Sequence, residues 1–141
     1  MKNSALKILT ICGSVISIGF GIWHFFVPII WNWYAYIDSD VTELVIAVRA
    51  INIFFSLLLV LLGIANLLLI FRKFQDYYSL LVVLGISTIL WATRLILQIV
   101  HPQGSQNSII QYAMLGTFIL VFISFAISLI IALNQYKQPK R

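Results

Sequence analysis

Charge is scarce in this sequence, and acid is scarcer still. Only 9% of its 141 residues are charged, and four of them are Asp or Glu. Asp38, Asp40, Glu43 and Asp76 fall at the edges of apolar runs or between them. None lies deep within a run, which argues against an ordinary carboxylate proton relay. Cysteine occurs once, as Cys12. A lone thiol forms neither an intrachain disulfide nor a Cys-x-x-Cys redox pair, and inside an apolar run it reads as a packing residue. There is no His-x-x-x-His, Glu-x-x-His or Asp-rich set to suggest a metal site, and no Gly-rich phosphate loop. Ser14, Ser17, Ser56 and Ser124 could be nucleophiles only with a base alongside, and they read as small packing residues. No repeat of 20–50 residues and no low-complexity tract is present.

Apolar residues make up the difference. They account for 62% of the chain, and the mean hydropathy is +1.03. A soluble core cannot bury that excess, so lipid must solvate most of the surface. The spans use nearly all of these residues and leave no room among them for a second, soluble domain.

Four spans are predicted, over residues 5–27, 41–71, 77–100 and 108–133. The first follows Lys2 and Lys7 as a signal peptide would, but it outruns an h-region and lacks an A-x-A-like site, so it is expected to be retained. On helical spacing Thr10, Gly13, Ser17, Gly21, His24 and Pro28 share one face. Leu9, Val15, Ile18 and Ile22 lie mostly elsewhere. A stripe of small residues lets a second helix approach closely, which points this face into a bundle. Pro28 is expected to end or kink the span. Residues 29–37, with Trp31, Trp33, Tyr34 and Tyr36, read as a segment lying in the membrane interface. Ser39 or Asp40 is expected to cap the second span.

That second span has the length of about 46 Å at 1.5 Å per residue, so its first turns with Glu43 are expected outside the hydrocarbon. Arg49, Asn52, Ser56 and Gly63 share a face, with Asn66 close by. In the third span Ser87, Trp91, Arg94 and Gln98 lie on one side, with His101 near them. Gln111 is the strongest polar residue of the fourth. The sequence HPQGSQNS reads as a turn broken by Pro102 and Gly104, and the final NQYKQPKR as a disordered basic tail.

The net charge of +5 does not point to nucleic acid. Lys2, Lys7, Arg72, Lys73, Lys137, Lys140 and Arg141 lie at the ends of apolar runs, where positive charge sets membrane orientation. Short connections and this distribution predict an all-α membrane protein, an antiparallel four-helix bundle with both termini cytoplasmic.

In that topology Arg49 and Arg94 lie at similar depth in the outer leaflet, with His24 near them. An intramembrane arginine is costly, about 2.5–3.5 kcal/mol at mid-span on insertion scales. Two readings fit. The arginines snorkel to outer headgroups and meet lipid phosphate nonspecifically. Alternatively His24, Arg49, Asn52, Arg94 and Gln98 line a pocket for the head of a lipid, quinone or similar amphiphile, with Gln111 able to extend it. Arginine suits the second role because its planar fork binds phosphate or carboxylate through two hydrogen bonds. A bis-histidine haem on His24 and His101 is disfavoured, because His101 sits beside Pro102 at a helix end, so no cofactor is named. Rival functions are an accessory subunit of a larger membrane complex and a small oligomeric transporter. No residue set argues for an enzyme.

The stretch Gly21-Ile22-Trp23-His24-Phe25-Phe26-Val27-Pro28 resembles the first span of small bacterial DoxX-like membrane proteins, which often show G-x-x-H-F-x-x-P followed by aromatics. The resemblance implies a four-helix bundle in the bacterial inner membrane, with the histidine and proline near a polar end. Some members of that group are associated with redox or quinone-linked complexes. It transfers no catalytic residue, and the solitary Cys12 does not support a dithiol activity.

Overall fold

A computed structural model describes residues 4–38, 40–72, 77–102 and 107–137. Among them are four α-helices, α1 (Ser4–Ile30), α2 (Thr42–Phe71), α3 (Tyr77–Val100) and α4 (Ser108–Tyr136), and a 3-10 turn over Trp33–Tyr36. Each α-helix is long and apolar enough to cross a membrane, as in a multi-pass membrane protein. Their outward faces are greasy: Ile8, Phe54, Ile89 and Ile109 are each at least 65% exposed. In water that surface would drive association, whereas hydrocarbon solvates it.

The helices form a ring in which α1 packs on α2 and α4, and α3 on α4, while α2 and α3 meet more sparsely. The expected small-residue face of α1 is the one buried: Thr10, Gly13, Ser17, Gly21, His24 and Pro28 all point inward. Against α2 the fit depends on two glycines. A Cβ at Gly21 would lie 2.9 Å from Ser56 O, and one at Gly63 would lie 2.9 Å from Ser14 O. On α4, a Cβ at Gly13 would come within 3.2 Å of the Phe125 ring. Lipid tails are as apolar as Leu, so close packing and hydrogen bonds must hold such helices together.

Those bonds cross the bundle at several levels. Trp91 Nε1 donates to Ser17 Oγ at 3.3 Å, and Ser17 Oγ donates to Leu59 O at 3.3 Å, joining three helices through the core. Asn66 Nδ2 donates to Ser87 Oγ at 2.8 Å, clasping α2 to α3. Tyr77 OH donates to Gln135 Oε1 at 3.0 Å, tying α3 to α4. Other hydroxyls turn back on their own helix, as in Ser14 to Thr10 O and Thr88 to Leu84 O. Such bonds leave few bare donors among apolar neighbours. Around this frame Phe20, Trp91 and Phe118 form a ring cluster with centroids 5.2–5.7 Å apart.

Helix ends depart from expectation in three places. α1 does not stop at Val27 but runs through Pro28 to Ile30. Val27 and Pro28 are both buried, and packing outweighs the bias of a residue before proline. Trp31 N still donates to Val27 O at 3.0 Å, and the chain turns at Asn32, whose φ of 49° is left-handed. Asparagine tolerates that region better than most residues. Ile29 and Ile30 therefore belong to α1. Second, α4 continues three residues beyond Leu133 to Tyr136, so the described start of the basic tail is helical. Third, Asp40 does not cap α2: Val41 holds that position without a side-chain bond. The carboxylate of Asp38 accepts from Asp40 N at 3.0 Å. Ser39, Gly104 and the last four residues lie outside the described residues. The cap of α4 is Asn107, whose Oδ1 accepts from Ile109 N at 2.9 Å.

Candidate functional site

His24 and Arg94 each stand six residues before the end of their helix, about 9 Å along the axis at 1.5 Å per residue. His24 is fixed from α2. Its Nδ1 lies 3.3 Å from Ser56 Oγ, and Ser56 Oγ donates to Asn52 O at 2.7 Å. Its ring packs edge-on against Phe55 at 4.8 Å and beside Phe20 at 5.9 Å. The close approach of α1 to α2 at Gly21, one turn away, makes that contact possible.

Arg94 is half-buried on α3. Its guanidinium lies over the Phe118 ring at 5.0 Å and nearer the range limit over Phe55 at 5.9 Å. Ring faces carry negative potential and hold a cation where water is thin. The same phenylalanines thus pack the core and seat the charge.

Between these elements lies a cavity of about 320 Å³. Its polar lining is His24, Asn52, Thr93 and Arg94, and Trp33 folds in from the 3-10 turn. The rest is hydrocarbon from α2 and α3, including Val48, Ile51, Phe55, Leu90 and Leu97. Ile51, 68% exposed, and Leu97, 41% exposed, reach the outer surface, so the cavity opens sideways between α2 and α3. That is the sparse side of the ring, held together further along by the Asn66–Ser87 clasp. A smaller space of about 40 Å³ adjoins, sharing His24, Trp33 and Arg94 and closed by Trp23, Trp31 and Met114. A few polar groups converging in a mostly apolar recess is the pattern common to small-molecule pockets.

Of the residues singled out from the sequence, His24, Asn52 and Arg94 come together here. Arg49 does not join them. It is exposed, with its guanidinium 5.2 Å from the Tyr34 ring, and lines a separate cavity of about 240 Å³ with Phe25, Pro28 and Tyr34. Asn52 stands in the wall of both cavities. Gln98 is buried on α3 yet lines neither, Gln111 is half-buried, and His101 is exposed beyond α3. Neither Asp38 nor Asp40 lines either cavity. Sequence reasoning missed Trp33 and Thr93. Trp33 read as one interfacial aromatic among several, and the only hint for Thr93 was its place beside Arg94. Among the described residues no group of three His, Cys, Asp or Glu side chains converges as a metal site. No protein-family model, no curated protein and no solved structure matches the chain.

Proposed function

We propose that this chain is a multi-pass membrane protein that holds the head of an anionic or polar-headed amphiphile, a lipid or quinone-like molecule, in the cavity between α2 and α3. One observation carries the reading: His24, Asn52, Thr93 and Arg94 converge in a recess whose other walls are mostly apolar and which opens sideways. A sideways opening suits a ligand that arrives from the bilayer and leaves its chain there. The arginine supplies a charge and a fork of donors for phosphate, carboxylate or carbonyl oxygens.

We further propose that the helices run antiparallel, with both termini cytoplasmic and the cavity in the outer leaflet of a bacterial inner membrane. Contact pairs support the antiparallel order, since numbers rise on one helix as they fall on its neighbour. Ser14 meets Gly63 and Gly21 meets Ser56, while Gly13 meets Phe125 and Phe20 meets Phe118. The lysines and arginines of the termini and of the 2–3 connection support the orientation. The DoxX-like resemblance of residues 21–28 supports the setting.

The test is native mass spectrometry of the protein released from its own membrane in mild detergent. Wild type and Arg49→Gln are expected to retain one class of amphiphile, and Arg94→Gln to lose it. Retention by Arg94→Gln equal to wild type would refute the site. A second reading, an accessory subunit or homo-oligomer, is favoured by an apolar groove of about 500 Å³ between α1 and α4, lined by Ile16, Gly19, Trp23 and Ile109. Gly19 faces open space there, leaving room for another helix. A stoichiometric copurifying chain, with no retained amphiphile, would favour that reading.

A further inference from the structure

Proton counting around Ser56 specifies what His24 offers to the cavity. Ser56 has one hydroxyl hydrogen, and it is committed to Asn52 O at 2.7 Å. Toward His24 Nδ1, 3.3 Å away, Ser56 Oγ is left as an acceptor. Nδ1 therefore carries the ring hydrogen, and in the neutral imidazole Nε2 keeps a lone pair. Nδ1 faces Ser56 on α2 and the Asn52 side chain also lies against the ring, so a ligand in the cavity would meet Nε2 alongside Asn52. His24 thus brings an acceptor to a cavity where Arg94 brings only donors.

We infer that the amphiphile's head presents two groups side by side: an oxygen that accepts from Arg94 and a hydroxyl that donates to His24 Nε2. This rests on the amphiphile-binding reading and narrows the chemistry of the head. A ketone, an ether or a simple phosphodiester offers Arg94 an acceptor but has no hydrogen for Nε2. A polyol phosphate supplies both, through its phosphate and a neighbouring alcohol. A hydroquinone or other phenol supplies both through its hydroxyls. The cavity of about 320 Å³ is of a size for either head, with the chain leaving between α2 and α3.

Two ligand pairs test the inference on the full chain in detergent, by competition in native mass spectrometry. One sets phosphatidylglycerol against phosphatidylmethanol with the same acyl chains and charge. The other sets an alkyl hydroquinone against its dimethyl ether. In one pair the hydroxylated member is expected to be retained about tenfold better, the effect of one well-made hydrogen bond, and that pair identifies the source. The preference is expected to fall to about onefold in His24→Phe and to recover in part in His24→Gln, whose side-chain oxygen accepts. Nitrogen-15 histidine spectra of His101→Gln, which report His24 alone, are expected to show a hydrogen on Nδ1 and none on Nε2. This readout holds even where the His24 variants do not fold. Equal retention within both pairs, or a hydrogen on Nε2 alone, overturns the hydroxyl inference and leaves amphiphile binding standing. Retention of no member of either pair overturns both.

Discussion

Replacing Gly21 by alanine should separate α1 from α2 at the level that orients His24. The added Cβ would lie 2.9 Å from Ser56 O, 2.9 Å from Val60 Cγ2 and 3.0 Å from Leu59 Cβ. A side-chain methyl can turn aside, but a helix carbonyl moves only with its helix. Overpacking of this kind costs about 1–3 kcal/mol. Alanine also gains about 1 kcal/mol of helix propensity over glycine, which would mask part of the cost in a single variant. Gly19→Ala removes that ambiguity, because nothing lies within 4 Å of its Cβ and the propensity gain is the same. The difference between the two variants is then the steric term alone, about 1–3 kcal/mol. It can be read from reversible unfolding in mixed micelles of rising SDS fraction, followed by tryptophan fluorescence. Ser56 moves with its carbonyl, so Gly21→Ala should also loosen the His24 contact and lower amphiphile retention, whereas Gly19→Ala should not. If the two variants unfold within about 0.5 kcal/mol of each other, the scatter of a harmless surface change, the close α1–α2 approach is refuted.

Trp91→Phe removes the Trp91–Ser17 bond and leaves a void in the core. It should destabilise by about 1–3 kcal/mol in the same unfolding assay, and a neutral result would contradict the core bond. A double-mutant cycle on Asn66→Leu and Ser87→Ala should give a coupling of about 0.6–1.7 kcal/mol, the range of hydrogen bonds between membrane helices, and additivity would deny the clasp. Asn32→Gly should be tolerated, while Asn32→Val, forced to a φ of 49°, should lose about 1–3 kcal/mol. Equal stability of those two would mean that α1 does not turn at Asn32.

The spans and their inward faces were legible because membrane helices obey simple periodicities. The stripe from Thr10 to Pro28, mostly small residues with His24 among them, marked the buried side of α1. Asn52, Ser56, Gly63 and Asn66 marked that of α2, though Arg49, placed on the same face, is exposed. Helix ends were less legible. Pro28 is a breaker by its own chemistry, but the burial of Val27 and Pro28 against neighbours cannot be read from local sequence. The site was half legible for a related reason. A helical wheel gives Arg49 and Asn52 one face, yet the wheel does not say how the helix is rotated against α1. It also does not say where the aromatic stretch after Ile30 folds. Tyr34 settles beside Arg49 while Trp33 turns toward Arg94, and these two adjacent residues give the two arginines separate surroundings.

The recess at His24, Asn52 and Arg94 is proposed to hold the head of a membrane amphiphile. The most direct measurement is an experimental structure of the protein in nanodiscs drawn from its own membrane without added detergent. Non-protein density is expected against Arg94 and His24, continuing as a chain between α2 and α3 into the bilayer. A recess closed by its own side chains, or filled with water alone while the surrounding lipid is resolved, would contradict it.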